Sequence, residues 1–145
     1  MSTKSKSKIL VIAEKPSVAA DFVRVLGDKF KKFPKYWEGE HYIISYAVGH
    51  LVTIADPASI DERYKAWRLD SLPIIPKQFQ LEPIEENRTQ LSALGKLIRR
   101  RDVEMVVNAC DAGREGELIF RYILEFLGQE RKINKPTMRL WLQSM

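Results

Sequence analysis

The sequence predicts an α/β domain: a mostly parallel sheet flanked by helices, with an inserted β-hairpin. Three observations carry this expectation. Two apolar runs, Ile9-Leu10-Val11-Ile12 and Val103 to Val107, are short, rich in β-branched residues and end at turns, as buried strands do. Each is followed by a segment whose apolar residues recur at helical spacing. Strand and helix patterns then alternate along the chain, which calls for crossover connections and hence a parallel sheet.

The elements follow in order. The first strand ends in Ala13-Glu14-Lys15-Pro16-Ser17. A helix opens after Pro16-Ser17, sets Val18, Phe22, Val25 and Leu26 on one face, and stops at Gly27. Tyr36-Trp37-Glu38 and His41 to Tyr46 flank Gly39-Glu40, a hairpin signal with glycine first in a type II′ turn and His41 on the plain surface. Between Gly49 and Pro83 lie Pro57, Pro73, Pro76, Tyr64, Trp67 and Phe79, which read as a long irregular excursion packed by its own side chains. Trp67 and Trp141 are expected in the core. Asn87 is placed to cap a helix with Leu91, Leu94, Leu97 and Ile98 inward, ending in Arg99-Arg100-Arg101. Strand Val103–Ala109 comes next. The helix after it carries Leu118, Ile119, Tyr122, Ile123, Phe126 and Leu127 and is closed by Gly128. Met138 to Leu142 reads as a last strand.

Composition bounds the function classes. The 145 residues, 45% hydrophobic and 30% charged, suit one domain, with residues 1–7 expected as a disordered basic tail and residues 8–145 as the folded unit. A net charge of +5 favours an anionic partner. The basic clusters at Lys29–Lys35, Arg99–Arg101 and Arg131–Lys135 read first as solvated surface, and Trp37 as a residue that could stack on bases. No apolar run approaches the ~18 residues of a membrane span, and Ser2 to Lys8 lacks the apolar stretch of a secretory signal. A lone cysteine, Cys110, leaves no internal disulfide and fits the cytoplasm.

The chemistry concentrates at strand ends, where ligands gather in open α/β sheets. Glu14 ends the first run, Asp111 follows the second, and Glu115 and Glu117 open the next helix. If the two strands are neighbours, Glu14, Asp111 and Glu115 converge beside Lys15, a donor set suited to Mg²⁺ and phosphate. Helix capping competes as an explanation for Asp111, Glu115 and Glu117 taken singly. It accounts for neither Glu14 nor the two glycines, Gly113 and Gly116, that bracket Arg114-Glu115.

Ile12-Ala13-Glu14-Lys15-Pro16-Ser17 and Asp111-Ala112-Gly113-Arg114-Glu115-Gly116-Glu117 resemble the two signature segments of the Toprim domain, in the form found in bacterial type IA DNA topoisomerases of the topoisomerase III kind. Val48-Gly49-His50-Leu51, Tyr64 to Leu69 with Leu72 to Pro76, and Arg139 to Met145 extend the resemblance over the chain from Lys8 onward. It implies a Rossmann-like Toprim fold. It also implies the Mg²⁺-binding half-site of an isomerase that cuts, passes and reseals single DNA strands, using a tyrosine supplied by another domain. The implied catalytic residues are Glu14, exchanging a proton with the departing 3′ oxygen, and Lys15, paired with the scissile phosphate. The implied Mg²⁺ ligands are Glu14, Asp111 and Glu115. The implied DNA contacts are Lys15, His50 and Arg114; His50 reads more readily as a packed histidine, and Arg114 also as a residue that orders the acids. Gly113 stands where the general Toprim pattern has a second aspartate, which leaves the number of metal ions open. None of Tyr36, Tyr42, Tyr46, Tyr64 or Tyr122 stands in the context of the nucleophile. The expected partners are therefore single-stranded DNA and the remaining topoisomerase domains, with no membrane, and the 145 residues alone are expected to be inactive. The alternative is a non-catalytic Toprim module that binds nucleic acid or a protein.

Overall fold

The computed structural model describes residues 6–143. The expected basic tail falls, over residues 1–5, outside the described residues. The remainder is a mixed α/β fold built on a six-stranded sheet. The strands are β1 (Lys8–Ala13), β2 (Lys31–Lys32), β3 (Tyr36–Glu38), β4 (Tyr42–Tyr46), β5 (Val52–Ile54), β6 (Leu81–Pro83), β7 (Val103–Ala109) and β8 (Thr137–Arg139). The helices are α1 (Pro16–Leu26), α2 (Pro57–Ile60), α3 (Arg88–Ile98) and α4 (Arg114–Glu130). The sheet order is β2-β3-β4-β1-β7-β8, with β4, β1, β7 and β8 mutually parallel and β2 and β3 antiparallel at one edge.

β1 explains why its apolar run is unbroken. Successive side chains point to opposite faces, and both faces are covered. Leu10 and Ile12 join the layer packed by Leu94 and Ile98 of α3 and Ile119 and Ile123 of α4. Val11 and Ala13 join Val18 and Ala19 of α1 on the other side. Full burial of one such aliphatic side chain stabilises the fold by roughly 1.5–3 kcal/mol.

Several local expectations are corrected. The buried stripe of α1 is Val18 and Ala19 with Phe22 and Val23, whereas Val25 is 76% exposed. At 100° per residue Val25 lies at the edge of that stripe, about a quarter-turn from its centre. The hairpin turns one residue later than expected: the Gly39 N–H donates to the Tyr42 carbonyl at 2.8 Å, leaving Glu40-His41 at the tip. Gly39 does not take positive φ; a Cβ there would lie 2.2 Å from Asp28 Oδ2. Asp28 needs that approach, because its carboxylate accepts from the His41 and Tyr42 amides at 2.7 and 2.9 Å and pairs with the His41 ring. His41 is exposed, as expected, and its ring and amide are both tied to Asp28. Gly27 does stop α1, in the left-handed conformation.

The excursion holds a two-stranded antiparallel ribbon, β5 with β6, that the sequence did not announce. Trp67 lies between two short 3₁₀ turns and is fully exposed, and Trp141, beyond the edge strand β8, is 60% exposed. Neither is core. Asn87 precedes α3 without capping it, since its side chain donates instead to the His50 carbonyl at 3.0 Å. Gly128 does not close α4, which runs on to Glu130, and β8 ends at Arg139 rather than Leu142. The basic clusters are partly structural. Arg100 bonds Glu38 and Asp102 across the amino-terminal end of the sheet and holds both carboxyls below their usual range. Lys135 donates to the Val103 carbonyl at 2.6 Å.

Candidate functional site

β1 and β7 lie side by side and end together, Ala13 opposite Ala109. From this pair the chain winds outward in opposite directions, to β4 on one side and to β8 on the other. Such a reversal leaves a crevice at the carboxyl ends of the two central strands, the place where open α/β sheets receive ligands. Glu14 and Asp111 stand at this crevice.

The half-buried Glu14 extends across it, and its Oε2 accepts the backbone N–H of Asp111 at 3.0 Å, a contact between residues 97 apart in sequence. Glu115, in the first turn of α4, sits where the helix dipole favours an anion. Its Oε1 lies 2.8 Å from His50 Nε2. The loop carrying His50 is pinned over the site by Gly49, which takes φ +77 and donates its N–H to the Glu14 carbonyl at 3.3 Å. Positive φ favours glycine there. The structure thus brings Glu14 to Asp111 and His50 to Glu115. Lys15 and Arg114 are exposed at the same rim, and among the described residues their side chains have no hydrogen-bond or ion-pair partner.

Asp111 is not a capping residue. Gly113 occupies the cap position of α4, and among the described residues no side chain bonds the free amides there. Gly116 is required by close approach: a Cβ would lie 2.2 Å from the Asp111 carbonyl oxygen. Among the described residues no three His, Cys, Asp or Glu side chains gather into a ready metal cluster. The expected convergence of Glu14, Asp111 and Glu115 is therefore corrected: Glu14 reaches Asp111, while Glu115 is drawn to His50. All three carry hard carboxylate oxygens of the type Mg²⁺ takes one or two at a time.

A family model described as the Toprim domain matches residues 9–145. The chain belongs to the Toprim domain family. It is 48% identical over 139 residues to a protein named DNA topoisomerase 3 from Bacillus cereus, 47% to one from Bacillus licheniformis and 45% to one from Bacillus subtilis. Each match covers 96% of this chain and 18% of the relative, so the chain spans under a fifth of the length of these relatives.

The Toprim domain also holds residues that sequence reasoning passed over. Asn108 is buried in β7; its Oδ1 accepts the Cys110 N–H at 3.1 Å and its Nδ2 donates to Glu117 Oε2 at 2.9 Å. Glu117 is further bonded by Arg121 at 2.8 Å, which commits it to bracing α4. Arg139 of β8 reaches over the same turn with three bonds. One signal was available: an asparagine inside the run Val-Val-Asn-Ala is a buried polar group that must find partners. Burial, with the nearby Glu14 charge, pushes the Cys110 thiol up to about 12, so it stays protonated and inert.

Proposed function

We propose that this chain is the Mg²⁺-binding Toprim half of a type IA DNA topoisomerase site, acting on single-stranded DNA in the cytoplasm. The nucleophilic tyrosine comes from a part of the parent protein outside these residues. The reading rests on the bond from the Asp111 amide to Glu14, which makes one crevice of two distant acidic segments, together with the named relatives. Glu14 gives a proton to the departing 3′ oxygen and takes it back on resealing, the work of a general acid–base group. Lys15 offers its exposed ammonium to the scissile phosphate and offsets charge as the phosphodiester breaks. Arg114 and His50 line the same rim and face the strand. Glu14, Asp111 and Glu115 would hold Mg²⁺, with Glu115 exchanging its bond to His50 for the ion. When bound, the ion supplies electrostatic positioning of the phosphate.

A graft tests the reading. Placed in the Bacillus subtilis relative in exchange for the matching segment, this chain should support Mg²⁺-dependent relaxation of negatively supercoiled plasmid, and Glu14→Gln should abolish it. The isolated chain should bind Mg²⁺ saturably, with binding lost in Asp111→Asn, and should relax nothing. Relaxation by the isolated chain, or a folded graft indifferent to Glu14→Gln, would overturn the proposal. No saturable binding at millimolar Mg²⁺ would favour the non-catalytic module.

A further inference from the structure

We infer that Arg139 is a positioning residue for this site: it clamps the Asn108 to Asp111 turn from the neighbouring strand and so sets where the Asp111 carboxylate stands. The inference rests on the functional reading above and deepens it. Arg139 is the last residue of β8, in register with Asn108 of β7. Its Nη1 donates to Asn108 Oδ1 at 2.7 Å and to the Cys110 carbonyl at 2.8 Å, and its Nη2 donates to the Asp111 carbonyl at 2.7 Å. One guanidinium thus ties three residues of a single turn, Asn108 by its side chain and Cys110 and Asp111 by their carbonyls, a task for a planar fork that a lysine cannot reproduce. The Trp141 ring lies 5.5 Å from the guanidinium carbon and restrains the head group from another side.

Asp111 has no side-chain bond of its own among the described residues, so its carboxylate is aimed entirely by its backbone. That backbone is held at three points. The amide donates to Glu14 of the β1 tip, the carbonyl accepts Arg139 of β8, and the same carbonyl rests against Gly116 of α4. Of the three, only Arg139 also binds Cys110 and Asn108. Removing it leaves the Asn108 amide group, the Cys110 carbonyl and the Asp111 carbonyl each short of a donor, and frees the turn between strand and helix.

The test compares Arg139→Gln with Arg99→Gln in the 145-residue chain. Arg99 is a matched control: it too is half-buried and donates to a backbone carbonyl, that of Leu127 at 2.7 Å, but away from the crevice. Two quantities are read: hydrogen exchange at the Asp111 amide without metal, and Mg²⁺ affinity from the shift of that amide. Arg139→Gln should speed the exchange by about ten-fold through local opening. It should weaken Mg²⁺ binding by roughly 10–100-fold, the range for groups that orient metal ligands. Arg99→Gln should lower the melting temperature comparably and leave both readouts unchanged. Arg139→Lys, which keeps the charge but not the fork, should show the same two changes at smaller size and serves if the glutamine variant does not fold. Unchanged Asp111 exchange in both Arg139 variants, or equal changes in Arg99→Gln, would overturn the inference. If the unaltered chain binds no Mg²⁺, the functional reading fails, while the metal-free exchange still decides the role of Arg139.

Discussion

Gly116 and Gly128 lie in the same helix, and replacing each by alanine is expected to move stability in opposite directions. Alanine in a helix normally gains about 0.5–1 kcal/mol over glycine, because glycine gives up more backbone freedom on folding. At Gly128 nothing lies within 4 Å of the added Cβ, so Gly128→Ala should show that gain. At Gly116 the Cβ would lie 2.2 Å from the Asp111 carbonyl oxygen and 3.0 Å from its carbonyl carbon and amide nitrogen. All three are backbone atoms, already held by Glu14 and Arg139, and they cannot swing aside as a side-chain tip would. Overpacking of this kind costs about 1–3 kcal/mol, which outweighs the helix gain and leaves a net loss of about 1–2 kcal/mol. The two variants should therefore melt about 5–10 °C apart, given a few degrees per kcal/mol in a domain of this size. Calorimetric melting of the three proteins reads this directly, and the Asp111 amide shift should move in Gly116→Ala alone. A Gly116→Ala protein that melts at or above the unaltered chain would refute the close-approach argument.

Two further predictions concern charge and reactivity. Arg100, hydrogen-bonded to Glu38 and Asp102, holds their carboxyls below the ordinary 4.5 and 3.8. Depressed acids contribute stability that is present above those values and lost as pH falls through them and below, so urea melts from pH 7 to pH 3 should show stability falling in that window. In Arg100→Gln the fall should be shallower from a lower start; an equal slope contradicts the assignment. The Cys110 thiol, buried and raised to about 12, should resist a disulfide reagent at pH 8 in the folded chain and react once urea unfolds it. Reaction of the native chain at the rate of a free thiol would contradict its burial.

Local chemistry was legible in the chain because it is written at short range. β-branched apolar runs marked β1 and β7, the leucine spacing marked α3, and Gly27 marked the end of α1. The acids were visible as acids at strand ends. That Glu14 should reach Asp111 was conditional on β1 and β7 being neighbours, and only the tertiary structure decided that, through the Ala13–Ala109 register and the Glu14 bond. The same holds wherever the sequence misled. Gly39 reads as a turn glycine until Asp28 is seen against it, and Trp67 reads as core until the excursion is seen to project. Arg139 reads as an ordinary strand residue until Asn108, Cys110 and Asp111 are found beneath it. Periodicity records which side of an element avoids water, and turn residues record where the chain bends, both within a few positions. Which groups end up facing each other across a crevice depends on contacts between residues tens of positions apart, and no local pattern encodes them.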